Sequence, residues 1–187
     1  MATTLKRSVA RGFTLIELLI VVIILAILAA IAIPQFSSST SDAQLSALDA
    51  NLSTVRSAIE QYKAQHNNVY PGANTSTGAN CTVGNAIEAD AGTKEAFDAQ
   101  LKGYSNAAGN VCSAPNADYK YGPYLRQGVP TEPINNVSTM TITKTGAPIV
   151  PDNKAAGGWA FDTKSGQFVM NSAADDTNTP TRKYYAH

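Results

Sequence analysis

One acidic residue stands inside the most apolar segment of this 187-residue chain. Glu17 is the only charged residue between positions 12 and 40, and sixteen apolar residues in a row follow it, from Leu18 to Ile33. In the middle of a membrane helix a carboxylate costs on the order of 2.5–3.5 kcal/mol, and it is retained where it serves a function. A buried charge is tolerated when an opposite charge pairs with it. Glu17 is therefore a candidate functional residue.

Other groups that could do chemistry are few and scattered. The two histidines are residues 66 and 187, and the two cysteines are residues 81 and 112. The sequence contains no glycine-rich phosphate loop, no paired-histidine zinc helix and no nucleophile elbow. Its 14 basic and 14 acidic residues balance, which argues against a nucleic-acid binder held by a basic field. These features predict a protein that is not an enzyme.

The apolar block follows a short basic start that contains Lys6, Arg7 and Arg11. A secretory signal peptide would have a shorter apolar core and a small-residue cleavage site after it. A plain membrane anchor fits residues 13–36, because at ~1.5 Å per residue they cross a hydrocarbon core of ~30 Å. Its basic flank would stay in the cytoplasm. Neither interpretation accounts for Glu17, or for a glycine at the boundary between the basic and apolar segments.

The string from Arg11 to Glu17, RGFTLIE, resembles the processing site of type IV prepilins and type II secretion pseudopilins. The resemblance implies that a prepilin peptidase cuts after Gly12 and methylates the new amine of Phe13. It also implies that the carboxylate of Glu17 pairs with that amine, in the same chain or in a neighbour. Pro34 stands where the family carries a proline, and its missing N–H and its ring predict a helix kink.

The resemblance implies an α+β pilin fold. One long N-terminal helix, half transmembrane and half amphipathic, packs on a small antiparallel β-sheet head. The predicted parts are a cleaved leader (1–12), a transmembrane and polymerisation half-helix (13–36) and an exported head (37–187), which includes the second half of the helix. Loss of the leader's three basic residues leaves 11 basic against 14 acidic residues, a side-chain charge of −3.

The second half of the predicted helix has an apolar stripe with alternating spacings of three and four, which is one face of an amphipathic helix. Packing against the chain's own head is favoured over a coiled coil, because the stripe lasts under three heptads. Polar residues occupy the opposite face. The stripe consists of Leu45, Leu48, Leu52, Val55, Ile59 and Tyr62, and the opposite face of Asp42, Asp49, Arg56, Glu60 and Lys63.

The sequence of the exported part predicts a short helix over 93–102 and a strand over 137–143. It also predicts a hairpin that pairs 159–161 with 167–170. Several stretches are similar to G-type pseudopilins: Arg56–Lys63, Tyr70–Pro71, Gly122–Leu125, Pro130, Pro133 and Gly158–Trp159.

The two cysteines fall in predicted loops, over 73–83 and 109–117. In an exported domain, Cys81 and Cys112 are expected to form a disulfide. A metal site would need more ligands than these two and the distant His66. We expect His66 to be solvated near the end of the helix.

No cofactor is expected. Calcium is the one candidate, because the G-type family carries an acid-rich calcium loop near its C-terminus. No matching ligand set aligns here, since the late acids are scattered: Asp152, Asp162, Asp175 and Asp176. The last two are expected in a solvated tail.

These observations predict a structural filament subunit. The expected partners are further copies of the chain, minor pilins, the prepilin peptidase, and an inner-membrane assembly platform with its ATPase. The subunit would cross the inner membrane once, with a cytoplasmic N-terminus and a periplasmic head, before it joins a filament. A type II secretion pseudopilus is favoured, and a type IV pilus for adhesion, motility or DNA uptake is the alternative. A tethered binding head that never polymerises and a periplasmic enzyme on a stalk are the other classes.

Overall fold

The computed structural model describes residues 12–151 and 157–187, without the side chains of residues 34 and 36–38. The predicted leader, apart from Gly12, therefore lies outside the described residues. Within the described residues, two helices and six strands follow one another as α1 (Leu15–Gln65), β1 (Ala86–Ile87), α2 (Lys94–Lys102), β2 (Tyr104–Ser105), β3 (Val111–Cys112), β4 (Met140–Thr143), β5 (Trp159–Asp162) and β6 (Phe168–Met170). A 3-10 turn, Tyr184–Ala186, comes last. The chain divides into two compact units, Met1–Ser41 and Asp42–His187.

α1 is a single helix of 51 residues that belongs to both units. Hydroxyl groups on its polar side bond back to carbonyl oxygens one turn earlier, from Ser39 to Gln35 at 3.0 Å and from Thr54 to Ala50 at 2.8 Å. The helix ends where Asn67 and Asn68 adopt left-handed backbone angles, φ 54° and 65°. The Asn68 N–H then donates to the carbonyl of Lys63 at 3.1 Å, which closes the last turn.

The apolar stripe of α1 forms the core of the second unit. All six of its residues are buried, from Leu45 at 8% exposure to Leu48 and Val55 at 0%. They pack with aromatic and sulfur side chains of the sheet: Trp159, Phe161, Phe168 and Met170. The expectation that the stripe packs on the chain's own head is confirmed.

The α+β class is confirmed, and the sheet content is richer than expected. The predicted hairpin is present: β5 and β6 pair antiparallel, with Trp159 opposite Met170 and Phe161 opposite Phe168. β4 joins the other side of β5 in parallel, so this sheet is mixed. The strand expected over 137–143 is assigned only from Met140 onward.

A second small sheet, in the order β1-β3-β2, was missed because its strands have two residues each. β3 lies within the segment expected to be a loop over 109–117. Such short strands carry no readable alternation. The expected short helix is confirmed as α2, where the Thr93 side chain accepts a hydrogen bond from the Ala96 N–H.

Candidate functional site

Thr14 and Glu17 form reciprocal hydrogen bonds at the start of α1. The N–H and the hydroxyl of Thr14 both donate to Oε2 of Glu17, at 2.9 Å and 2.7 Å. In return, the Glu17 N–H donates to the Thr14 hydroxyl oxygen at 3.2 Å. This reciprocal pattern is a capping box, which satisfies backbone N–H groups that the first helical turn leaves free.

The capping box gives Glu17 a local structural role that the sequence interpretation missed. Its signal is visible in the sequence as Thr-x-x-Glu just before a long apolar run. A carboxylate is also favourable at the positive end of the helix dipole. Glu17 therefore has a partner within its own chain, and its expected pairing with the amine of Phe13 stays a prediction.

Apolar side chains cover every side of the first part of α1. Leu15–Ile33 spans 19 residues with a mean hydropathy of 3.3, and none of this stretch is buried. By length and composition it can cross a membrane, a test that a signal sequence would also pass. A helix that is apolar all round is stable only in lipid or among similar helices.

Pro34 lies inside α1, close behind the apolar stretch. The backbone is helical at residue 34 and on both sides of it. The kink expected there stays a prediction.

Residues 7–33 match the family model described as the prokaryotic N-terminal methylation motif. This match covers Gly12, Phe13, Glu17 and the apolar run.

The N-terminal part of the chain is therefore similar to that of type IV pilins and of a type II secretion protein. Its relatives include proteins of both kinds. It is 42% identical over 71 residues to a fimbrial protein of Neisseria meningitidis serogroup B, which is 38% of this chain and 41% of that protein. It is 50% identical over 54 residues to the type IV major fimbrial protein FimA of Dichelobacter nodosus, 29% of this chain and 35% of FimA.

It is also 37% identical over 67 residues to the type II secretion system core protein G of Pseudomonas aeruginosa, 36% of this chain and 46% of that protein. The chain thus spans less than half the length of these three relatives. No solved structure is significantly similar to it.

The expected disulfide is present in the head. Cys81 and Cys112 are bonded, with their Cα atoms 5.6 Å apart and a sequence separation of 31. Contrary to the loop prediction, Cys112 lies in β3, so the bond ties the segment around Cys81 to the small sheet. Both thiols are used in this bond, which removes them as metal ligands.

His66 is buried rather than solvated, with 1% of its surface exposed. Its Nδ1 lies 2.7 Å from the Tyr62 carbonyl oxygen, and its Nε2 lies 3.0 Å from Oγ of Ser105. The imidazole also stacks on the Tyr62 ring, with centroids 3.7 Å apart. Burial lowers the pKa of His66, and backbone hydrogen bonds to Tyr62 and Asn106 offset part of that effect.

Of the late acids, Asp162 is fully buried and surrounded by hydrogen-bond donors. Burial alone would raise its pKa, but hydrogen bonds from Ser165, Thr143, Gly146 and Lys164 hold the pKa well below its ordinary range. These donors occupy its lone pairs and join the turn after β5 to the segment after β4. In the described part of the chain, no three acidic, histidine or cysteine side chains cluster as metal ligands. Asp152 lies outside that part.

The tail expected to be solvated is so only in part, because Asp175 is exposed whereas Asp176 and His187 pack beside α1. Asp176 is 2% exposed and contacts Nε2 of His187 at 3.2 Å. Nδ1 of His187 in turn lies 2.8 Å from Asp49 of α1. Arg56 donates to the main-chain carbonyls of His187, at 2.9 Å, and of Phe168, at 2.8 Å. The sequence did not predict this contact, because it depends on the tertiary fold that brings the C-terminal residues back to α1.

Proposed function

We propose that this protein is the structural subunit of a type IV pilin-like helical filament. The observation that carries the proposal is the apolar stretch Leu15–Ile33, which is not buried and whose first turn contains the capped carboxylate of Glu17. A bundle of like helices can bury this surface as well as lipid does. Transfer of the helix from membrane to filament then costs little free energy, because apolar surface stays out of water in both places.

Glu17 supplies the polar contact in that transfer. After cleavage behind Gly12, the new amine of Phe13 would lie one residue before Thr14. A positive amine and a carboxylate in an apolar bundle hold each other strongly, because neither can be left unpaired there. Such a pair fixes the axial register of one helix against the next.

The processing and assembly partners follow from this role. They are the prepilin peptidase, an inner-membrane platform with its ATPase, minor pilins and further copies of the chain. The subunit would wait in the inner membrane with its N-terminus in the cytoplasm and its head in the periplasm.

Two filaments are candidates. The resemblance of the head to G-type pseudopilins and the similarity to core protein G favour a type II secretion pseudopilus. The similarity to fimbrial proteins favours a surface pilus. Imaging of surface fibres and assays of secreted proteins, both before and after deletion of the chain, separate the two. Loss of surface fibres with normal secretion indicates the pilus, and the reverse indicates the pseudopilus.

Mass spectrometry of the N-terminus tests whether the chain is a processed filament subunit. The expected N-terminal peptide of the protein from membranes begins with methylated Phe13. A chain that retains Met1 and stays monomeric would contradict the filament proposal and favour a tethered binding head. A Gly12→Leu variant is the control, because it should stay uncut if cleavage follows the glycine.

A further inference from the structure

Three loops of the head surround an open groove that the filament role does not use. The loops are residues 78–81, 105–109 and 116–121, and the groove has a volume of about 360 Å³. That volume lies within the range of small-molecule sites. We call it the three-loop groove, and the side chains that line it include Asn80, Asn106, Ala108, Asp118, Lys120 and Tyr121.

The three loops are fastened to one another. The buried Tyr119 donates its hydroxyl to the carbonyl of Ala79, which joins the third loop to the first. Ser105 and Tyr121 exchange backbone hydrogen bonds of 2.9 Å and 3.1 Å, which join the second loop to the third. The disulfide fixes Cys81 to β3. The groove is therefore held in shape before any ligand arrives, and this lowers the entropic cost of binding.

Side-chain oxygens also set the shape inside the loops. Oδ1 of Asn106 accepts from the N–H groups of Ala108 and Asn110, both at 3.1 Å. Oδ1 of Asn116 accepts from Asp118 at 2.8 Å and from Tyr119 at 2.9 Å. These turns use the backbone of the loops and the two asparagine oxygens, and they leave the other polar groups of the lining free.

Three of those remaining groups make no hydrogen bond to the described part of the chain. No hydrogen bond within that part of the chain reaches the side-chain amide of Asn80, the Nδ2 of Asn106 or the carboxylate of Asp118. The ammonium of Lys120 lies 5.4 Å from the centroid of the Tyr121 ring. One acid and one base line the groove, so it has no net charge with which to draw a phosphate or a polyanion.

We propose that the three-loop groove binds a neutral saccharide. Each sugar hydroxyl both donates and accepts, and the free lining groups offer amide donors and acceptors, a carboxylate acceptor and an ammonium donor. The carboxylate and the ammonium make the stronger bonds, because one partner is ionised. Alanine side chains and the Tyr121 ring supply apolar contact for the C–H face of the sugar. The saccharide could belong to a host surface or to the bacterial envelope, since the recognition chemistry is the same.

Binding is tested on the full chain in a detergent without a sugar headgroup. The probes are N-acetyllactosamine for a host-type glycan, chitotriose for a wall-type glycan, and heparin for a polyanion. Affinity is measured by titration calorimetry for wild type, for Asp118→Ala/Lys120→Ala, and for the charge-matched control Glu95→Ala/Lys164→Ala. Both control residues are exposed and lie outside the groove.

We expect one of the two neutral glycans to bind, and the one that does so identifies the source. The groove variant should lose at least about tenfold in affinity, because each lost bond to a charged group costs that much, while the control keeps wild-type affinity. No binding of either glycan at 10 mM (roughly the weak limit of specific binding), a preference for heparin, or equal loss in both variants would overturn the proposal. The groove lies wholly in residues 78–121, so this outcome is independent of filament formation.

Discussion

At the residue scale, Glu17 has one observed role, in the helix cap, and one proposed role, in filament assembly. Its capping bonds with Thr14 require only a hydrogen-bond acceptor at the third helical position. Its proposed pairing with the amine of Phe13 requires a negative charge. Substitutions can separate the two roles, because glutamine preserves the first and removes the second.

We expect Glu17→Gln to insert into the membrane and be processed but to assemble poorly, because it keeps the cap and loses the charge. Glu17→Ala should assemble equally poorly. Thr14→Val keeps the charge and removes the cap, which costs about 1 kcal/mol, so it should still form filaments. The measurement is the yield of sheared filaments, normalised to the methylated chain seen by mass spectrometry. Wild-type yield from Glu17→Gln would refute the charge pairing.

His66 predicts a loss of head stability in acid. Since burial lowers its folded pKa below the unfolded value of about 6.5, the unfolded chain binds the proton more readily. The stabilisation is complete above about pH 6.5 and declines as the pH falls below it.

The test compares wild type with His66→Phe in urea, using fluorescence of the single tryptophan, Trp159, which is buried in the head. The difference in unfolding free energy between the two proteins should shrink from pH 7.5 to pH 5.5. It changes by at most about 1.4 kcal/mol per pH unit. A difference that stays constant would show that His66 does not titrate in this range.

At the element scale, α1 was largely predictable and the small strands were not. The periodicity of three and four identified the buried face from Leu45 to Tyr62, because a long helix repeats its signal several times. Strands of two residues have no period, so β1 and β3 exist only through pairing with distant segments. The capping box of Thr14 and Glu17 is a local sequence motif, so it was predictable, although it was not predicted. The burial of His66 depends on Ser105, Tyr121 and Tyr124, which come from other segments, and no local pattern predicts such contacts.

The two halves of α1 should respond differently to the same substitution. Leu52→Ala removes a buried side chain from the core, so the free energy of unfolding of the head should fall by about 3 kcal/mol. Leu25→Ala is the matched control, because Leu25 is 58% exposed and lies in the apolar stretch. It should leave head stability within about 0.5 kcal/mol of wild type. Urea unfolding followed at Trp159 measures both, and equal losses would contradict the division of α1.

At the scale of the whole molecule, the chain combines two units that are suited to different surroundings, one apolar and one aqueous. The first exposes apolar surface that water cannot solvate, and the second has its own core and disulfide. Stability of the head and insertion of the helix should therefore be separable properties.

Cys81→Ala/Cys112→Ala tests this separation. Loss of the disulfide should lower the unfolding free energy of the head by roughly 3–4 kcal/mol, since a loop of about thirty residues is no longer closed. Membrane insertion and methylation of Phe13 should stay at wild-type levels, as measured by fractionation and mass spectrometry. A variant that fails to insert would show that the units depend on each other.

The continuity of α1 has a mechanical consequence. The two units are joined in sequence by this one helix, so a pull on the head is carried through the backbone around residues 35–42. A helix rises ~1.5 Å per residue and an extended chain about 3.3 Å, so each residue that unwinds roughly doubles its length. Ser39 already bonds to the carbonyl of Gln35, and such hydroxyls offer the backbone alternative partners as it unwinds. We therefore expect the helix in this stretch to unwind and lengthen under tension before the packed head unfolds.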